Sequence, residues 1–258
     1  MALALAGVSF LVATASAEAA SSPLVAELEA ASQTYHRDPG QLDRLRQGLQ
    51  QVAAATPTVD DLIALARAEF LWADVRAPSS GEKLAAYDRG RQAARRAVDQ
   101  SPKNALAHLW YAVNTARWGQ TRGVLNSLSL VPAVKEEIRI VLELDPRLPG
   151  AYALAGNVFY EVPRLLGGDL KKAEEMFRKG LEYDSHFTAL RVGLGKTLIR
   201  QGRVAEGRRE LQGVLDERQP RSLADWTVKD ATEARALLGS SPRASSHASE
   251  RAGLPWRR

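Results

Sequence analysis

The 258 residues are 45% apolar and 25% charged, with a formal net charge of +5 and no cysteine. That length and apolar fraction suffice for one sizeable core or two small ones, and the missing cysteine excludes disulfides, thiolate metal sites and thiol nucleophiles. Alanine and leucine outnumber β-branched and aromatic residues, a composition that favours helix over strand.

The chain opens with MALALAGVSFLVATASAEAA, residues 1–20. An apolar run from Ala2 to Ala13 is followed by Ala15-Ser16-Ala17, the shape of a secretory signal peptide cleaved after Ala17 or a few residues later. The run is too short to span a bilayer, and it lacks the usual Lys or Arg in front. Absence of cysteine near the cleavage point excludes a lipoprotein anchor. The expectation is an exported, periplasmic protein with no transmembrane segment in its mature chain. The rival reading of the same run is a buried N-terminal helix.

Three helices are predicted over SPLVAELEAASQTYH (22–36), GQLDRLRQGLQQVAAA (40–55) and TVDDLIALARAEFLWADV (58–75), within an N-terminal region ending near residue 61. From residue 62 to 238 three turns look alike: AVDQSPKN (97–104), LELDPRLP (142–149) and LEYDSHFT (181–188). Pro102, Pro146 and Ser185 are separated by 44 and 39 residues, which is the 34-residue tetratricopeptide unit with residues added. Leu194, Gly195, Leu198, Gly202, Gly207, Leu211 and Val214 take the signature places of the last unit. Gly156, Phe159, Ala173, Phe177 and Gly180 fit the unit before it. Ala112, Thr115, Val134, Ile138 and Val141 fit an earlier one, and Ala94 and Ala97 a weaker first one. Two insertions, WGQTRGVLNSLS (118–129) and VPRLLGGD (162–169), fall in corresponding inter-helix turns, as expected where loops tolerate added length. The fold class is therefore all-α, a tetratricopeptide-like helical solenoid of about ten to twelve helices in about four units with swollen turns. LADWTVKDATEARALL (223–238) reads as its closing helix. The tail, residues 239–258, holds +3 of the net charge and is rich in Ser, Arg and Ala, so it reads as disordered. The remaining body is nearly neutral and carries no signal for nucleic acid.

Gly195-Lys196-Thr197 resembles part of a phosphate loop, but that loop needs a glycine where Leu190 stands and a buried strand upstream. Gly195 is instead the small residue at which the two helices of a unit approach closely. His36, His108, His186 and His247 are scattered without metal-ligand spacing, and no nucleophile elbow is present. No catalytic group, metal or cofactor is expected.

Positions of the first helix in each unit that face the concave side include Leu109, Val113 and Arg117, then Asn157 and Tyr160, then Lys196 and Arg200. This mixture of apolar wall, Asn, Tyr and cations suits an anionic, partly apolar ligand or a protein segment. Trp110, Tyr111 and Trp118 lie beside the first insertion, where they either pack the swollen turn or line a loop pocket.

GNVFYEVPRLLGGDLKKAEEMFRKGLEYD (156–184), with WYAVNTARWGQ and VPAVKEEIRIVLELDP ahead of it, resembles the TatT component family of TRAP transporters. Tyr160, Pro163 and Gly167-Gly168-Asp169 fill that family's turn. The resemblance implies a periplasmic helical protein that partners a substrate-binding protein and passes it an apolar or organic-acid ligand. The lack of a cysteine and the short N-terminal half depart from the family. The WYA and YEVP stretches also resemble the regulator of microtubule dynamics proteins of animals, a kinship that the exported-looking N-terminus reduces to one of fold. Two functions are thus expected for comparison: a TatT-like accessory holding a small organic ligand, or an adaptor gripping a partner's peptide in its concave groove.

Overall fold

The computed structural model describes residues 20–239, so the leader-like segment and the basic tail beyond Gly239 lie outside the described residues. Every regular element among the described residues is helical. Helices α1 (Pro23–Ala31) and α2 (Gly40–Ala54) precede four hairpins: α3 (Val59–Val75) with α4 (Ser80–Gln100), α5 (Ala105–Arg122) with α6 (Val124–Leu144), α7 (Pro149–Glu161) with α8 (Leu170–Tyr183), and α9 (Thr188–Arg200) with α10 (Val204–Asp216). The chain then runs through α11 (Leu223–Asp225), a π-helical turn (Trp226–Asp230) and α12 (Ala231–Gly239). The leading helices of successive hairpins touch one another, α3 on α5, α5 on α7 and α7 on α9. They therefore line one inner face, as in a tetratricopeptide solenoid.

Local chemistry starts these helices. Thr58 accepts from the Asp61 amide while Asp61 accepts from Thr58, a capping box that opens α3. Asn104 and Asp169 cap α5 and α8 with their side-chain oxygens, each cap supplying about 1 kcal/mol. Within the last hairpin a Cβ on Gly195 would meet Leu211 at 2.8 Å, and one on Gly207 would meet the Gly195 carbonyl at 2.6 Å. The close approach read from Gly195 is thus present, with Lys196 and Thr197 simply continuing α9.

The two insertions do different things. Residues 118–129 do not form a swollen loop: α5 and α6 lengthen until a single residue, Gly123 at φ +109°, separates them. The insertion contains no proline, so apart from Gly123 its residues can continue the helix on either side. Residues 162–169 do form the expected turn. Arg164–Leu166 make a short 3-10 turn, Gly167 takes φ +92°, and Asp169 accepts from the Lys171 amide at 2.8 Å to start α8. At Gly168 a Cβ would stand 1.7 Å from the Val162 carbonyl oxygen, so only glycine fits.

The N-terminal helices are locked onto the first hairpin by one carboxylate. Glu69 on α3 is fully buried and accepts from Arg46 Nε of α2 at 2.8 Å, from Gln50 of α2, and from Arg89 Nε of α4 at 3.0 Å. Around it Leu28, Leu42, Leu45, Leu49, Leu62 and Leu65 form the largest apolar cluster, which also receives Ala224 of α11.

Candidate functional site on the inner face

The inner face divides into two parts. At the α3–α5 part, the C-terminal segment folds back onto the first hairpin and the N-terminal helix. Ser32 O accepts from Ala224 N at 3.0 Å and from Ser222 Oγ at 2.8 Å. The Gln33 amide brackets the same backbone, donating to Arg221 O at 2.8 Å and accepting from Leu223 N at 3.2 Å. The two ends of the described chain therefore meet.

Below that clasp lies a charged cluster. Asp74, at the end of α3, accepts two bonds from Arg117 Nη2 at 2.9 and 2.8 Å, one from the Tyr87 hydroxyl and one from Lys229 Nζ at 3.3 Å. Lys229 also pairs with Asp225 at 3.1 Å, and Tyr35 donates to Asp225 at 2.7 Å. Burial alone would raise the Asp74 carboxyl, but Arg117 and Lys229 outweigh it and hold it below the ordinary value. Asp225 is likewise held down, burial being outweighed by Lys229 and Tyr35. Asp230 goes the other way: burial, with Asp225 nearby, pushes it up to about 6 against the bond from Thr188 Oγ1 at 2.5 Å. Lys229 and Arg117 both lie over the Phe70 ring, at 5.2 and 5.7 Å from its centre.

At the α7–α9 part the face stays open. Two cations lie over the Tyr160 ring, Lys196 Nζ at 5.4 Å and the Arg200 guanidinium at 5.0 Å from its centre. Arg200 Nη1 donates to Tyr160 O at 2.8 Å, which fixes it beside the ring while leaving it exposed. Lys196 reaches Glu233 of α12 at 2.8 Å. Burial would lower its pKa, but Glu233 more than offsets that and the ammonium is retained. Asn157, one turn before Tyr160, is exposed. An aromatic shelf flanked by two fixed cations can take a carboxylate with an adjoining apolar or aromatic group.

The structure thus brings Tyr160, Lys196 and Arg200 together, with Asn157 exposed one turn earlier on α7. Leu109 is corrected: it is 5% exposed and packs with Val141 and Ala151 between α5, α6 and α7, with Val113 against the same cluster. The groove pattern placed it one face too far round, because α5 is covered on two sides. Arg117 does face inward but is consumed by Asp74. Trp110, Tyr111 and Trp118 diverge instead of lining one pocket. Trp110 packs tilted against Phe70 at 5.5 Å, Tyr111 lies under Arg95, and Trp118 has Arg91 and Arg122 over its ring at 4.7 and 4.5 Å. Asp225, Lys229 and Glu233 were missed. Their spacing of four residues on one face of the closing helix was visible, but not the part of the molecule that face would meet.

Two open depressions of about 450 and 380 Å³ flank Arg191, one lined by His186 and Glu217, the other by Arg178 and Glu210 among others. Neither includes a residue of the 118–129 or 162–169 segments. His108 is buried, with Glu137 at 2.6 Å from Nδ1 and Pro102 O at 2.9 Å from Nε2, so it ties α5 to α6. No group of three or more His, Asp or Glu among the described residues could hold a metal ion.

Paired helices stacked on their leading members define a tetratricopeptide-type solenoid, a fold whose inner face presents side chains to a partner. The solved structure of a thermophilic tetratricopeptide protein from Thermus thermophilus is similar, with a TM-score of 0.58 at 15% identity, covering 80% of this chain and 98% of that one. The family model for regulator of microtubule dynamics protein 1-3 matches residues 27–240, and the chain belongs to that family. Regulator of microtubule dynamics protein 2 of Macaca fascicularis is 31% identical over 119 residues, 43% of this chain and 29% of that protein. The human protein of the same name is 30% identical over the same shares. The chain thus matches under a third of the length of these relatives. The kinship expected to be one of fold is one of family, which corrects the sequence reading.

Proposed function

We propose that this protein is a non-enzymatic adaptor that holds an acidic peptide segment of a protein partner against α7 and α9. The observation that carries this reading is Tyr160, open on the inner face with Lys196 and Arg200 over its ring. Arg117 and Lys229 are paired with Asp74 and Lys196 with Glu233, so Tyr160 and the exposed Arg200 supply the recognition chemistry. An acidic residue would meet Arg200, and a neighbouring apolar side chain would lie on Tyr160 and Asn157. The relatives' name concerns microtubule dynamics. A groove for a partner's acidic segment is a contribution that a helical module spanning residues 27–240 could make to such regulation.

The test is a titration of the full chain with fluorescent peptides of acidic, neutral and basic composition. Acidic peptides should bind, and Tyr160→Ala or Arg200→Glu should weaken them about tenfold. Binding indifferent to both substitutions would remove the proposal. The narrower reading, a TRAP-type accessory in the periplasm, uses the same residues for a small organic anion, and the leader-shaped residues 1–20 support export. Native mass spectrometry of protein from its own host separates the two. A small acid released on denaturation, and no peptide binding, would favour the transport accessory.

A further inference from the structure

We propose that the end of the solenoid formed by the α5–α6 tip and the α7–α8 turn docks on an anionic lipid surface. Both connections join the first helix of a hairpin to its second, so they leave the solenoid at the same end. Matching Val134 of α6 to Ala173 of α8 by their place in the repeat, α6 begins seven residues earlier in its unit than α8 does. At 1.5 Å per residue the α5–α6 tip projects roughly 10 Å beyond the start of α8.

The chemistry of that tip differs from the rest of the surface. Gly123 to Val134 holds no charged residue, while Arg122 and Lys135 bracket it. Leu125 is 83% exposed, and on the neighbouring turn Leu165 is 98% and Leu166 54% exposed. The two are tied together: Lys135 Nζ donates to Gly167 O at 3.0 Å. Arg164 precedes the exposed leucines, and Lys171 and Lys172 follow them. These five cations stand beside Glu136, Glu161 and Asp169, of which Glu136 is paired with Arg139 and Asp169 is turned onto the α8 amides.

Shape decides between a lipid and a protein occupant. A leucine that is almost wholly exposed on a convex turn would need a matching pocket in a protein, and binding energy at protein interfaces concentrates in such enclosed contacts. A bilayer accepts a convex apolar tip at any point, with leucines entering the acyl boundary and flanking cations meeting anionic headgroups. No helix among the described residues is long and apolar enough to cross a membrane, so the contact is with the surface. This docking end is separate from the Tyr160 shelf, and its test does not depend on peptide binding.

The experiment is flotation of the full-length chain with vesicles of phosphatidylcholine alone and of phosphatidylcholine with phosphatidylserine. The protein should float with the anionic vesicles, and the Leu125→Ser/Leu165→Ser double variant should bind them about tenfold more weakly. Arg122→Gln with Arg164→Gln should weaken binding roughly threefold to tenfold and lessen its dependence on salt. Residues 1–19 are kept in every variant, so a difference between variants reads the tip and not the apolar leader. The substituted side chains are exposed, and circular dichroism should show unchanged melting. Failure to float with anionic vesicles would overturn the proposal, and so would flotation that the leucine substitutions leave unchanged.

Discussion

The α3–α5 part of the inner face and the α7–α9 part carry the same kinds of side chain, yet in the first both Arg117 and Lys229 are taken up by Asp74, whereas in the second Glu233 pairs Lys196 and Arg200 stays exposed. In the first, Arg117 and Lys229 share Asp74, Tyr87 donates to the same carboxylate, and the clasp of Ser32 and Gln33 brings the C-terminal segment down onto them. In the second, Tyr160 keeps an open edge and Arg200 keeps its charge free for something else. A cation on a concave helix face is therefore not by itself a binding residue. What matters is whether the far wall of the solenoid supplies its counter-ion.

The comparison breaks most visibly at Asp74. Asp74→Ala leaves Arg117 without its carboxylate and Lys229 with Asp225 alone, and the expected loss is about 3 kcal/mol of folding stability. For a chain of this size that is a fall of roughly 6 to 12 °C in Tm, measured by scanning calorimetry. A loss as small as that of a surface ion pair would show that the clasp does not depend on the cluster.

Gly168→Ala should cost roughly 2 kcal/mol, because the added carbon cannot occupy the space of the Val162 carbonyl and the turn must be rebuilt. The damage should stay in α7 and α8, which hydrogen exchange would report as faster exchange there and unchanged protection in α3 and α4.

Asp230 tests the polarity of the closing segment. Its carboxyl is raised to about 6 in the folded protein, above the ordinary value near 4. The buried group therefore favours folding fully below about pH 4, and that contribution is lost as pH rises through 6. Asp230→Asn keeps an acceptor for Thr188 without the charge, so it should raise stability by roughly 1 to 2 kcal/mol at pH 8 and change little at pH 4. Asp74 and Asp225 carry the opposite sign, since their lowered values add stability that is lost as pH falls below about 4. Denaturant midpoints at the two pH values decide the matter.

The smallest expected effect on folding is at the open part. Lys196→Ala removes a partly exposed pair with Glu233 and should cost under about 1 kcal/mol, while acidic-peptide binding falls. A large stability loss would mean that this part too is closed from within.

Much of the fold was legible because it is written in local spacing. The glycines at 195 and 207 and the apolar places of each unit are demands that neighbouring turns of two paired helices make on each other, and they recur with the period of the hairpin. That Tyr160, Lys196 and Arg200 are neighbours was legible for the same reason, since one helix repeat sets which side they take. Leu109 was not, because its burial depends on α7 crossing α5, and the divergence of Trp110, Tyr111 and Trp118 depends on Phe70, Arg95 and Arg91 from other helices.

The sequence by itself determined the helical hairpins, the turn at Gly167-Gly168-Asp169 and the direction in which each leading helix presents its polar residues. Only the tertiary structure decided that residues 32–35 meet residues 221–225, that Asp74 is shared by two cations from distant helices, and that the α5–α6 insertion becomes a projecting helical tip. The reason is range. Periodicity and capping act over one or two turns, whereas closure joins groups about 190 residues apart, and no local pattern encodes which distant charge completes a buried cluster.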